Sequence, residues 1–435
     1  MYRIVLSSIM FCLLFGCIAL GDAAEISTYL AGEITEHAFA VGPEGAVWIC
    51  LGNPSRLLRI DGDSVEQMPI EGSATLNGDW GADVYFNPSG QMLLLEQGVA
   101  DGYNCDRFLY YYSEDEGLSF SGVFLPSATT CDGLLFDVQS SAYAILSYGE
   151  PCRTSSDIFE LTAPHPMCRY RSTNGPINSA LIITKVEAWI GVNGGGVELA
   201  NLGTHQVARE LGAGDGLSET GSYPVTRDGL GSLWLISDGQ IVTYSGSGVE
   251  VYAPGDSYRR LVLSDEETVW AASDTFLARF TPDRMETFTV ADGLLNMDIR
   301  QMLIDLDGNI WLRHPNGLTK IDAGDLPPQR LTVFETKVPD RIDASARLSN
   351  SGPAMDVDIY LAMELNGKIL FWPFWDEAMY HYPASLLQGF SFSAVILEAT
   401  DGLVTPGRYT FFSALAVRDS MRFIGGISTY EITVK

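Results

Sequence analysis

The chain has 435 residues with 26 Lys+Arg against 55 Asp+Glu, a formal net charge of −29, and hydrophobic residues make up 46% of it. Residues 329–435 hold 9 basic and 12 acidic residues, net −3, which leaves −26 for residues 1–328. So acidic a body repels polyanions, which argues against nucleic acid and anionic membrane surfaces as partners. The length suits one domain of ~300 residues and a second of ~100.

The N-terminus reads as a secretory signal. Arg3 is followed by an apolar stretch, Ile4 to Leu20, too short and too poorly flanked for a membrane span, and Gly21 and Ala23 occupy −3 and −1 of a cleavage before Ala24. A rival reading is a lipoprotein signal, in which Gly16-Cys17 would make Cys17 a lipid anchor. Either way the protein is expected to be exported, in the bacterial manner.

Cysteine usage fits an oxidising compartment. Beyond Cys12 and Cys17, four of five cysteines crowd together, and the simplest of three connectivities pairs Cys105 with Cys131 and Cys152 with Cys168. Cys50, beside Trp48 and Ile49 on an apolar strand, reads as a buried, unreactive thiol. The sequence has no CxxC and no Cys/His cluster, so no metal or other cofactor is expected.

The central feature is an internal repeat. Aligning on the bulky residue after the first turn gives Trp48, Leu93, Tyr143, Trp189, Trp234, Trp270 and Trp311, at gaps of 45, 50, 46, 45, 36 and 41 residues. A period of about 44 is the length of a four-stranded blade, and seven such units predict a seven-bladed β-propeller over residues 24–327. In the last unit, Ile299–Ile304, Asn309–Arg313 and Leu318–Ile321 read as strands; Asp305 to Asn309 supplies one hairpin and Asn316-Gly317 the next. Asp305-Leu306-Asp307-Gly308-Asn309 also resembles the first half of a calcium loop, but position 12 holds Asn316 where a bidentate Glu is required, so the hairpin reading is preferred. Gly194-Gly195-Gly196 reads as another hairpin turn.

This last unit needs a fourth strand. Glu25 to Leu30 is spaced like the outer strand around Met285–Thr289, and it is predicted to pair with Gly317–Ile321 and close the ring; Arg330–Glu335 is the rival.

Connectors recur as well, in Gly214-Asp215-Gly216-Leu217 and Ala291-Asp292-Gly293-Leu294. With the pattern Asp-x-x-Gly-Asn-x-Trp, a following Gly-Leu and an x-Ile-Asp ending, the chain resembles the two-component regulator propeller repeat. That resemblance covers Leu217–Asp322 closely and is fair around Trp48. It implies an exported seven-bladed propeller of the kind found in extracytoplasmic sensor regions of hybrid histidine kinases and in stand-alone exported proteins.

After Leu326-Pro327-Pro328 the period stops. Residues 328–435 alternate as short strands, with Val357, Ile359, Leu361, Met363 and Leu365 on one face and Asp356, Asp358, Tyr360 and Glu364 on the other, which fits an immunoglobulin-like β-sandwich. Phe371-Trp372-Pro373-Phe374-Trp375 reads as a core plug, with a carbohydrate platform as the alternative.

Chemical motifs are sparse. The five histidines form no HExxH or His-x-His, and no GxSxG or P-loop is present. Topology points to one constellation instead: the starts of the innermost strands ring a mouth of the propeller channel. Stepping from Arg300 to its equivalents gives His37, Ala82 with Asp83 beside it, Asp132, Asn178, Tyr223 and Arg259, of which His37, Asp83, Asp132, Tyr223, Arg259 and Arg300 form the candidate ligand-binding set. The expected function is a non-catalytic exported binding or interaction protein, taking a small molecule, peptide or protein at the propeller face, with the sandwich as a docking module. The alternative is a propeller enzyme of streptogramin-lyase-like or quinoprotein-like type, whose families place His and acidic residues around the channel, where only His37 stands here.

Overall fold

The computed structural model describes residues 24–434 except 36, 53–54, 71–80, 88, 98–106, 126–129, 137–140, 149–154, 162–166, 173, 195, 219–220, 229, 256, 265–267, 283, 323–328, 339–340, 351–354, 366–367, 387–389, 398–406 and 419–422. The expected signal peptide and the expected linker at 326–328 therefore lie outside the described residues, as do Cys105 and Cys152. Among the described residues no helix is long and apolar enough to cross a membrane.

The seven repeat units each become a four-stranded antiparallel sheet among the described residues. We number them as blades in chain order. The first strands of the blades are Ala40–Val41, Ala82–Phe86, Thr130–Phe136, Ile177–Thr184, Ser222–Arg227, Arg260–Leu263 and Gln301–Ile304. Most of these first strands touch their counterparts in neighbouring blades, which makes them the inner wall of a ring. Second strands, such as Val47–Leu51 and Leu233–Ser237, are buried along their whole length. The reason is that both faces of a blade are covered: Trp48 and Cys50 pack against blade 2, whereas Val47, Ile49 and Leu51 pack against blade 7. Strands buried on both faces read as continuous apolar runs.

Three of the anchor tryptophans are held by their own hairpins. In blade 7 the Asp305 Oδ1 accepts the main-chain N–H of Asp307 and Asn309 at 3.0 and 2.9 Å, while Oδ2 accepts the Trp311 indole N–H at 2.8 Å. Blade 5 repeats this with Asp228, which accepts from Leu230 and Ser232 main chain and, at 3.0 Å, from the Trp234 indole. Blade 1 uses Glu44 for Trp48 at 2.5 Å. The turn itself needs a left-handed residue, and Gly45, Gly90, Gly231 and Gly308 take φ of 81–88° there. One short pattern thus caps a turn and satisfies a buried indole. The carboxylate of Asp305 serves the hairpin, as expected in preference to a calcium loop.

The Asp-Gly-Leu connectors are single 3₁₀ turns. Asp292 Oδ2 accepts the Thr289 N–H at 2.8 Å, Gly293 sits at φ 114°, and Leu294 drops into the core between blades 6 and 7. Leu217 does the same between blades 4 and 5.

Closure follows the sequence expectation. Glu25–Tyr29 pairs antiparallel with Gly317–Asp322, from Glu25 opposite Asp322 to Tyr29 opposite Leu318. The rival strand, Gln329–Val338, pairs instead with Arg341–Asn350. The hairpin before it differs by one residue from expectation: Pro315-Asn316 is the loop, and Gly317 opens the strand opposite His314. A Cβ at Gly317 would lie 2.9 Å from the Tyr29 carbonyl oxygen, so only glycine lets the N-terminal strand lie this close.

From Gln329 onward, a three-stranded sheet (Gln329–Val338, Arg341–Asn350, Phe390–Leu397) and a five-stranded sheet built on Met355–Leu365 and Gly407–Val417 share one core. Val357, Leu361 and Met363 point into it as expected. Asp358 does not follow its expected solvent face: it is buried beside Arg418 Nε at 3.4 Å and His381 Nδ1 at 3.3 Å. Trp372 and Trp375 pack on this core, while Phe374 is 69% exposed, so the aromatic run is a plug at only two of its rings.

Of the four cysteines expected to pair, Cys168 is a free thiol whose Sγ lies 3.8 Å from the Tyr170 carbonyl oxygen on its own strand, and its expected partner Cys152 lies outside the described residues. Cys50 is fully buried and burial pushes its thiol up to about 12, which leaves it protonated and inert.

Asp305→Ala should lose about 2–4 kcal/mol in chemical denaturation, because it orphans a buried indole and two main-chain donors. The exposed control Glu250→Ala should stay within about 0.5 kcal/mol. Equal stabilities for the two variants would contradict this role of the hairpin carboxylate.

Candidate functional site

The ring of inner-strand starts divides into two sectors. On blades 1 and 2, His37 Nδ1 lies 3.6 Å from Asp83 Oδ1, with both side chains nearly buried, and the same Oδ1 accepts the Ala38 main-chain N–H at 2.7 Å. Gly81, at φ 66°, makes room for the His37 ring: a Cβ there would meet Cδ2 at 2.7 Å.

On blades 5, 6 and 7 lies a cationic sector. Arg259 pairs with Asp274 at 2.6 Å and Arg300 with Asp298 at 3.1 Å, all at exposed positions. Two further arginines join them that sequence reasoning missed, Arg260 and Arg313. Arg313 comes from the second strand of blade 7, and its Nη1 donates to the Thr35 carbonyl at 2.8 Å. Burial lowers the Arg313 pKa, Asp83 acts against that, and Arg300 and Arg260 add to it. Arg313 nonetheless stays charged at neutral pH. Burial likewise pushes the Tyr223 hydroxyl up, with Arg260 and Arg259 pulling it back.

The expected ring mixed two registers. Arg259 and Arg300 are true equivalents, since their N–H groups donate to the carbonyls of Ala272 and Arg313. Tyr223 is not: it stands opposite Ile236, whereas Arg260 and Gln301 stand opposite Ala272 and Arg313, the equivalent places. The cause is a bulge between Pro224 and Thr226, which moves the start of the strand by one residue. Tyr223, Arg260 and Gln301 share a task as well. Each reaches the main chain of the next blade: Tyr223 Oη donates to the Arg259 carbonyl at 3.1 Å, Arg260 Nε to the Arg300 carbonyl at 2.9 Å, and Gln301 Nε2 to the Phe39 carbonyl at 2.9 Å.

Asn178 is exposed on blade 4. A Cβ at Gly191 would come within 2.3 Å of Asn178 Oδ1 and 3.0 Å of the Tyr223 Cα, so this glycine lets the amide lie against the base of Tyr223. Asp132 falls where the pairing of its strand shifts between Cys131 and Leu134, and its side chain lies outside the described residues.

Behind the mouth sits His314, which has no exposed surface. Asn296 Oδ1, 3.2 Å from Nδ1, also accepts the Asp298 N–H, which makes Nδ1 the protonated nitrogen; Thr319 Oγ1, 2.9 Å away, then donates to Nε2. Burial lowers its pKa to about 4. Among the described residues no group of three or more His, Cys, Asp or Glu is placed to hold a metal ion.

No protein-family model matches the sequence, and no curated protein matches it. Solved structures do match. The chain is similar to a structure described as the extracellular domain of a hybrid two component system from B. thetaiotaomicron, with a TM-score of 0.52, 13% identity, and coverage of 95% of this chain and 58% of that one. It is similar also to streptogramin B lyase, with a TM-score of 0.50, 13% identity, and coverage of 69% of this chain and 97% of that one. These likenesses establish the propeller fold. They agree with the architecture that the repeat resemblance implies, and the chain spans less than two thirds of the first structure's length.

The His314 environment predicts a pH effect of definite sign. The folded state binds the His314 proton less readily than the unfolded chain, so stability is full above about 6.5 and falls as pH drops toward about 4. At 1.36 kcal/mol per pKa unit the loss is on the order of 3 kcal/mol. The stability gap between wild type and His314→Gln should therefore shrink over that window, as followed by denaturant midpoints. A constant gap would show that His314 does not titrate in this way.

Proposed function

We propose that the protein is an exported binding module whose ligand-contact face is the end of the ring where the inner strands begin, formed by His37, Asp83, Tyr223, Arg259 and Arg300 together with Arg260. The observation that carries this reading is the gathering of four arginines, at 259, 260, 300 and 313, on a chain of net charge −29. A fold has no need to concentrate its scarce cations at one place, and convergent polar groups in a concavity are the default ligand site. The likeness to an extracellular domain of a two component system supports the same reading at the level of fold, and supports export. The ligand would be a small molecule, a peptide or a segment of a protein. Residues 328–435 act in this reading as an immunoglobulin-like accessory module that docks the propeller; their two sheets with a shared core support it.

The test begins with a thermal-shift screen of neutral and charged metabolites and short peptides. Hydrogen exchange with any stabilising compound should show new protection at residues 37–39, 82–83, 222–223, 259–260 and 300–301. Protection confined to the outer strands or to residues 329–434 would overturn the assignment. Arg259→Ala combined with Arg300→Ala should cost little stability, because each arginine has only an exposed partner. It should weaken an anionic hit at least tenfold.

A further inference from the structure

Arg260 is the member of the cationic sector that meets no carboxylate among the described residues. Its Nε donates to the Arg300 carbonyl at 2.9 Å and its Nη1 to the Arg259 carbonyl at 2.8 Å, which leaves Nη2 open on an exposed side chain. The other arginines have partners: Arg259 pairs with Asp274, Arg300 with Asp298, and Arg313 donates to the Thr35 carbonyl.

The bridge to the next blade does not explain the charge. In the equivalent places Tyr223 and Gln301 make the same bridge with a hydroxyl and a carboxamide. A glutamine at 260 would therefore serve the ring as well as an arginine does, and would not push a like charge toward Arg300 and Arg313. The guanidinium is anchored through two of its nitrogens, so its open edge is fixed in place rather than sweeping through solvent. Beside it stands Tyr223, whose hydroxyl donates to the same Arg259 carbonyl that Arg260 Nη1 reaches.

We propose that Arg260 receives the carboxylate of a small ligand at the mouth, Nη2 donating a charge-assisted hydrogen bond to it beside the Tyr223 hydroxyl. The assignment rests on the reading of this face as the ligand-contact face. A carboxylate fits because it is a small planar anion whose oxygens can accept from the open Nη2 edge of a guanidinium held at Nε and Nη1. The carboxylate could belong to a free organic acid or to the end of a peptide; the chemistry at Arg260 is the same.

The experiment titrates the full chain with acetate, trialanine, trialanine amide and inorganic phosphate at constant ionic strength, followed by calorimetry and by melting temperature. Wild type should bind trialanine or acetate and not the amide, and bind phosphate more weakly. Binding of acetate alone identifies the free acid as the source, and binding of trialanine well above acetate identifies the peptide terminus. Arg260→Gln should melt within a degree or two of wild type in chloride and bind at least tenfold more weakly. Arg260→Lys, which keeps the charge, should bind more tightly than Arg260→Gln. Equal affinity in wild type and Arg260→Gln, equal binding of the amide, tighter binding of phosphate, or binding of none of the four probes would overturn the inference. The protection experiment above carries no requirement for charge, so failure here leaves the contact face to be judged on that result.

Discussion

A ring of sheets has to join its last member to its first, or two rows of unpaired backbone groups remain open. Here the join is made by Glu25–Tyr29, which lies far from blade 7 in sequence and completes it in space. The join is sewn further by the residues that follow. Gly32 donates to the Asn316 carbonyl and Thr35 to the Pro315 carbonyl, at 2.9 and 3.1 Å. The Thr35 hydroxyl donates to the His314 carbonyl and accepts the Gly317 N–H at 3.1 Å, with Thr35 itself fully buried. Tyr29 packs tilted against Trp311 in the core shared by blades 7 and 1. The chain's two halves therefore hold each other, and the loop-closure entropy is met once, at this seam.

The mouth depends on that seam. Arg313 reaches the Thr35 carbonyl, Gln301 holds both polar groups of Phe39, and Asp83 holds the Ala38 N–H. Opening blade 7 from blade 1 would release Arg313 and uncouple the His37–Asp83 pair from the cationic sector. Between blades 5, 6 and 7 the bridges from Tyr223 and Arg260 continue the same series. Binding geometry at the mouth is in this way a product of ring closure, with the side chains preorganised by bonds to neighbouring main chain rather than by a dedicated loop.

The sequence carried the architecture because blade spacing is set by hard constraints. A tryptophan, a left-handed glycine and a carboxylate four to six residues before the indole form one physical unit, so its recurrence could be counted. The closing strand was also legible, since blade 7 visibly lacked a partner. The site was legible only in outline. A single bulge at Pro224 changed the register of one inner strand, and that step decides whether Arg259 or Arg260 belongs with Tyr223. Arg313 was hidden because second strands read as core, and a cation there has no periodic signature. The burial of Asp358 had a similar cause: its partners, Arg418 and His381, are distant in sequence. The cysteine pairing assumed that crowding in sequence means proximity, and Cys168 spends its contacts on its own strand.

Closure of the ring rests on the N-terminal strand Glu25–Tyr29. The most direct measurement compares the thermal unfolding and sedimentation of chains beginning at residue 24 and at residue 32. The shorter chain should melt well below the longer one and associate through its exposed blade 7 edge. It should regain monodispersity when a peptide of residues 24–31 is added. Identical melting temperatures and a monodisperse short chain would contradict closure by this strand.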